Sequence, residues 1–167
     1  MYKYILALLI SCSALFASQS DGHIEQLEKQ LISLINAERQ KNGLKPLQQQ
    51  HTLTKVAREH SQNMADKKVD FGHDGFDDRF DKVKHLGVRK FGENVAYSYN
   101  VKNPLQTAVT GWMNSKSHRE NILNDFSETG MGIAFDKKGT FYVTQLFASR
   151  SKQYASSRHA PTGKRKS

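Results

Sequence analysis

The chain holds one cysteine, Cys12, in 167 residues. Without a second thiol there is no internal disulfide, so the core must hold the folded part alone. A single apolar run lies near the N-terminus, and no second run is long enough to span a bilayer. There is no internal repeat and no long linker. Two catalytic signatures are also missing. No HExxH pattern sets two metal ligands on one helix turn, and no Gly-x-Ser-x-Gly elbow presents a nucleophile. Acid is missing from residues 150–167, which carry Arg150, Lys152, Arg158, Lys164, Arg165 and Lys166. This segment lacks apolar periodicity too, and reads as a basic disordered tail.

What is present fits one globular domain, expected over residues 24–149. The chain is 37% hydrophobic and 25% charged, with a formal net charge of +9. That charge aids solubility and favours anionic partners. Much of the excess sits in the tail, so the domain itself is less basic, and the tail is the candidate for contact with an anionic surface. Specific nucleic-acid binding is not expected, and a monomer is.

Residues 1–18 read as a signal peptide. One Lys precedes an apolar stretch from Tyr4 to Phe16, and small residues follow. Cleavage after Ala17 or Ser18 gives a secreted or periplasmic protein. Leu9-Ile10-Ser11-Cys12 resembles a bacterial lipobox, so the alternative is a lipoprotein anchored at Cys12. Against it, the apolar run continues through Ala14, Leu15 and Phe16.

Ile24, Leu27, Leu31, Leu34 and Ile35 recur at helical spacing and predict a helix over residues 23–41, with Asp21 as N-cap and Asn42-Gly43 as the stop. A second helix follows Thr52, with Leu53, Val56, Ala57, His60 and Met64 on one face; His60 reads as a hydrogen-bonded core residue. A Gly- and Asp-rich loop, Phe71-Gly72-His73-Asp74-Gly75-Phe76, precedes a short helix with Phe80, Val83 and Leu86 inward. Phe91-Gly92-Glu93-Asn94-Val95-Ala96-Tyr97 is partly extended. Asn103-Pro104 opens a helix that buries Leu105, Ala108, Val109, Trp112 and Met113. A further helical piece reaches Leu123. Residues 131–135 and 141–147 form a hairpin about Asp136-Lys137-Lys138-Gly139. Helices over a small antiparallel sheet, an α+β fold, are expected.

Three polar segments interrupt this apolar pattern: Gly72-His73-Asp74, Gly92-Glu93-Asn94 and residues 115–120. Two imidazoles and one carboxylate can form a half-open site for zinc or a similar divalent metal, or supply a general base and its orienting groups. His73, Glu93 and His118 are the candidates, and the alternative is that they cap loops and a helix end. Ser115 and His118 stand three apart on one helix face, which allows a nucleophile pair or a structural hydrogen bond.

At these residues the chain resembles the CAP superfamily, the SCP-domain group of cysteine-rich secretory proteins, antigen 5 and pathogenesis-related proteins. Phe71-Gly72-His73, then Phe91-Gly92-Glu93-Asn94-Val95-Ala96, Gly111-Trp112-Met113-Asn114-Ser115-Lys116-Ser117-His118-Arg119-Glu120-Asn121-Ile122-Leu123, Gly130-Met131-Gly132-Ile133-Ala134 and Tyr142-Val143-Thr144-Gln145-Leu146-Phe147 follow the family's order, and the Trp-to-Leu stretch is similar to the bacterial branch. The resemblance implies a three-layer α-β-α sandwich. It also implies a cleft with two His and two Glu, sometimes about a divalent metal. His73, Glu93 and His118 match three of those positions; the fourth, carried over to two residues before Trp112, is Thr110.

Fold alone does not give function. The first expectation is a secreted binding module, not an enzyme, with a cleft lined by His73, Glu93, Asn94, Ser115 and His118. Trp112 and Tyr97 are its candidate walls, and a small molecule, lipid or peptide is its ligand. The rival is a metal-assisted or His/Glu-based hydrolase of peptidase type, with His73, Glu93 and His118 catalytic. A third is an interaction protein anchored to the envelope.

Overall fold

The computed structural model describes residues 2–150, with side chains described from Gly22 onward. The expected signal peptide, with Cys12, and the basic tail beyond residue 150 lie outside the described side chains. Among the described residues no helix is long and apolar enough to cross a membrane.

Five helices flank a four-stranded sheet. The order along the chain is α1 (Tyr2–Lys41), β1 (Gln48–Gln49), α2 (His51–Ala65), α3 (Phe76–Lys84), β2 (Val88–Ser98), α4 (Pro104–Asn114), α5 (Lys116–Leu123), β3 (Glu128–Phe135) and β4 (Phe141–Arg150). Across the sheet the order is β1-β3-β4-β2. β2, β3 and β4 are antiparallel as expected, and β1 adds a two-residue parallel edge that makes the sheet mixed. Three differences from the expected boundaries stand out. α1 passes through Asp21 without a break, so Asp21 lies inside the helix rather than capping it. β2 is a full strand of 11 residues. β4 runs to Arg150, whose guanidinium Nε bonds the Glu128 carboxylate at 2.7 Å, so this residue belongs to the sheet and not the tail.

Side-chain alternation divides the core into two layers. On one face Leu31, Ile35, Leu105, Val109, Trp112 and Ile122, from α1, α4 and α5, pack on Met131, Ile133, Phe141, Val143 and Phe147. On the other, Leu53, Val56 and Ala57 of α2 and Val83 of α3 pack on Leu146 and Ala148. The β3–β4 turn is held by Asp136, whose Oδ1 accepts from the backbone N–H groups of Lys138 and Thr140, both at 2.8 Å.

α2 lies directly on β3 because that strand presents no side chain to it at Gly130 and Gly132. A Cβ on Gly130 would stand 2.2 Å from the Leu53 carbonyl carbon, and one on Gly132 would stand 2.1 Å from the Arg58 nitrogen. Ser61 completes the contact by donating to the Gly132 carbonyl at 2.8 Å.

Two buried charges tie the layers at their edges. Glu28 of α1 is fully buried; it accepts two bonds from Arg58 of α2, at 2.7 and 2.6 Å, and one from the Ile133 N–H of β3. Arg39, at the end of α1, donates to four main-chain carbonyls, those of Lys45, Ile122, Asn124 and Phe126. It thereby fastens α1 to the end of α5.

The glycine contact gives a paired test. Gly132→Ala should cost about 3 kcal/mol or more, since backbone rather than a flexible side chain must move. Gly111→Ala in α4 meets nothing within 4 Å, and should stabilise by up to about 1 kcal/mol. Urea denaturation followed by circular dichroism reads both; a neutral Gly132→Ala would contradict the packing described.

Candidate functional site

The site is built around the outer edge of β2. Because side chains alternate, Glu93 points to the α2–α3 face while Asn94 points to the α5 face. The two neighbours therefore serve different layers.

On the first face, Glu93 is paired with Arg79 of α3. The guanidinium Nε donates to Oε2 at 2.5 Å and Nη2 donates to Oε1 at 2.7 Å. Both side chains are buried, Glu93 at 1% exposure and Arg79 at 7%. The remaining Arg79 donors reach the carbonyls of Asp74 and His73 and the Nδ1 of His60. All five guanidinium N–H groups thus have acceptors. The loop between α2 and α3 is wrapped around this one side chain.

His73 stands on that loop, half exposed, with its Nδ1 2.9 Å from Glu93 Oε1. The bond orients the ring through Nδ1. His60 lies behind. Its Nε2 donates to the Gly72 carbonyl at 2.9 Å, so its Nδ1 is the acceptor for Arg79. Burial pushes the His60 pKa down, and the nearby Arg79 charge adds to that shift. The sequence reading of His60 as a bonded core residue describes this position.

On the second face, His118 of α5 sets its Nδ1 2.9 Å from the Ser115 hydroxyl. Ser115 occupies the N-cap position, yet its side chain caps no backbone N–H; it orients the imidazole instead. Burial lowers the His118 pKa, and the electrostatic effect of His73 adds to that shift. Asn94 is fully buried and donates to the His118 carbonyl at 3.1 Å, while its own carbonyl accepts from Asn121.

Between these groups lies an open cleft of about 340 Å³. Its walls are Val95, Ala96, Tyr97 and Ser98 of β2, with Thr107, Ala108, Gly111 and Trp112 of α4. Phe71, Phe141, Ser115 and His118 close it. Tyr97 and Phe71 meet edge to face at 4.8 Å between ring centres, and Trp112 donates its indole N–H to the Val95 carbonyl at 3.0 Å.

Four of the expected positions, His73, Glu93, Asn94 and Thr110, are not among the residues that line the cleft. Glu93 does not line the cleft: it sits behind His73, and Arg79 engages both its oxygens. A divalent cation would have to displace that guanidinium or share the carboxylate with it. Each imidazole has its Nδ1 anchored within the protein, His73 on Glu93 and His118 on Ser115. Asn94 is likewise not a cleft residue, because its amide is used within the protein. Thr110 lies on the exposed side of α4, where its hydroxyl accepts from Gln106. Arg79 escaped the sequence reading because it lies in a highly charged helix, Phe-Asp-Asp-Arg-Phe-Asp-Lys-Val-Lys, where nothing sets one cation apart.

Two outcomes test this network. Arg79→Met leaves Glu93 buried without its counter-charge and should cost about 3–5 kcal/mol in urea denaturation; Arg79→Met/Glu93→Leu should recover much of that. His60 holds its proton less well in the folded chain than in the unfolded one, where it titrates near 6.5. Its contribution is therefore complete above about pH 6.5 and is lost as pH falls through its lowered folded value. The melting temperature should fall from pH 7 to pH 5, and His60→Gln should flatten that slope; an unchanged slope would assign the loss to other groups.

Comparison with known proteins places this geometry. The family model for the cysteine-rich secretory protein family, CAP, matches residues 32–147. The Bacillus subtilis (strain 168) protein YkwD is 41% identical over 133 residues, 77% of this chain and 50% of its own length. The membrane protein YlbC of the same organism is 37% identical over 129 residues, 74% of this chain and 34% of its own. This chain thus spans half or less of these relatives. Among solved structures, an extracellular protein containing an SCP domain from Bacillus anthracis str. Ames is 30% identical with a TM-score of 0.62, covering 77% of this chain and 41% of that one. An outer surface protein from Borrelia burgdorferi is 26% identical with a TM-score of 0.65, covering 77% of this chain and 96% of that one. The order of motifs, the three-layer fold and the family match agree: the chain belongs to the CAP family of cysteine-rich secretory proteins.

Proposed function

We propose that this is an exported CAP-domain binding module whose β2–α4 cleft takes a ligand with an apolar body. The observation that carries the reading is the cleft's lining. Ala96, Tyr97, Ala108, Gly111, Trp112 and Phe71 are apolar or aromatic, and the polar side chains among the lining are few, Ser98 and Thr107 with the contacting pair Ser115 and His118. A volume of about 340 Å³ lies in the range of small-ligand sites, and such sites combine apolar walls with a few placed polar groups. His73, held by Glu93 on the neighbouring loop and close enough to act on His118 electrostatically, supplies a second imidazole. Both rings then meet the polar part of a ligand through Nε2.

Export is supported by the apolar N-terminal stretch from Tyr4 to Phe16 and by the extracellular and outer-surface descriptions of two solved relatives. Attachment to a membrane, the description given for YlbC, is the alternative for the intact protein.

A His/Glu hydrolase is supported less well. It asks Glu93 to activate water or hold metal, and the Arg79 pair occupies that carboxylate on the far side of His73. Ligand binding makes no such demand.

The chain contains one tryptophan, and it lines the cleft, so its fluorescence reports occupancy. Anilinonaphthalene sulfonate, an apolar anionic dye, should bind at one site and quench Trp112 by energy transfer. Gly111→Leu, which projects a side chain into open space, should weaken this at least tenfold while keeping the far-ultraviolet dichroism. Dye binding that ignores the substitution would remove the cleft from the proposal.

A further inference from the structure

The two edges of the sheet are treated differently along their length. At the β3 edge, Glu28 covers the Ile133 N–H. At the β2 edge, Asn121 donates to the Glu93 carbonyl at 3.1 Å and Trp112 to the Val95 carbonyl at 3.0 Å. Outward-facing backbone groups recur every second residue on an edge strand. The next pair in this series belongs to Tyr97. Among the described residues no side chain caps it, and Tyr97 itself is 58% exposed. Covering an edge up to one residue and then leaving the following residue open is a departure from the protection such strands usually receive.

That open stretch is one wall of the cleft. Ser98 follows it, pointing to the α4 face beside Thr107 and Phe141. Its hydroxyl oxygen is buried and has no hydrogen-bond partner in the structure. An unmet hydroxyl at the end of a cleft is a place for a ligand's polar group, because leaving it unpaired is unfavourable. Along β2 the wall from Val95 to Ser98 is about 10 Å long at the rise of a strand. Along α4, Thr107 to Ser115 spans about 12 Å at the rise of a helix. This matches some three residues of extended chain. Phe71 on one face and Gly111 on the other leave room for side chains that alternate between the two.

We propose that the cleft recognises an extended peptide, which adds as a strand to the open Tyr97 edge of β2 and satisfies the Ser98 hydroxyl. Main-chain bonds to Tyr97 set the register, one side chain enters the space over Gly111, and the next lies against Phe71 and Tyr97. The polar end of the cleft, with Ser115 and His118, receives the backbone or side chain at the peptide's leading residue. This names the ligand class of the cleft and rests on its being a binding site.

The test uses a library of fluorescein-labelled hexapeptides that alternate apolar and polar residues, screened by anisotropy against the full chain. At least one should bind with a dissociation constant below about 1 mM, on the order of the weakest affinity such a site would have. The tightest peptide is then resynthesised with single N-methyl groups. Methylation of the amide that pairs with the edge should weaken binding about tenfold, and methylation of its neighbour should not. Ser98→Ala should weaken it about threefold or more, and Gly111→Leu at least tenfold. Anilinonaphthalene sulfonate separates the two readings. If the dye responds to Gly111→Leu but no peptide binds, or N-methylation has no positional effect, the cleft stands and the strand-addition proposal falls. If neither dye nor peptide responds to Gly111→Leu, both fall.

Discussion

The ion pair between Arg79 and Glu93 is the contact on which the site depends. Each partner is buried, and a buried charge survives only when its hydrogen-bonding capacity is met. Arg79 meets this by turning to the carbonyls of His73 and Asp74 and to His60 as well as to Glu93. The loop of residues 71–75 has little apolar content with which to pack itself. Its shape follows from the fork of one guanidinium. His73 is then oriented by the same carboxylate that balances Arg79, which also holds its Nδ1. Neither member of the pair lines the cleft.

The sheet carries this logic from one layer to the other. Glu93 and Asn94 are adjacent in sequence and face opposite ways, so β2 is fastened to α3 by one residue and to α5 by the next. His73 and His118 come from opposite layers, and both are tied to this strand. The cleft is thus an edge feature, bounded by loop on one side and by α4 on the other. Its polar end is set by strand pairing, and its apolar length by how closely α4 follows β2 after the turn through Asn100.

Much of this is readable from the residues. Apolar periodicity marks the packing faces of α2 and α4, Asn103-Pro104 opens α4 as expected, and Asp136 to Gly139 marks the hairpin. His73 and His118 stand out as polar breaks beside glycine turns or helix ends. What cannot be read has a common physical cause: it depends on which partner a residue meets across the fold. β1 is two glutamines with no strand pattern, and exists because Glu128 and Thr129 present an edge there. Arg79 looks like any surface cation in its helix. Glu93 and Asn94 read as one polar unit, although strand alternation sends them to separate layers.

Arg39 has a consequence for the conditions under which the domain can exist. Its four acceptors are main-chain carbonyls, and it joins segments far apart in the chain, from Arg39 to Ile122 and Phe126. Such a clasp does for this chain what a disulfide does in cysteine-rich proteins, but with parts that no thiol reductant attacks. A carbonyl does not titrate, and a guanidinium keeps its charge far above neutrality even when burial lowers its pKa. The corner it closes is therefore indifferent both to redox potential and to the acid that releases carboxylate bridges. A fold fastened in this way needs no oxidising compartment in which to mature.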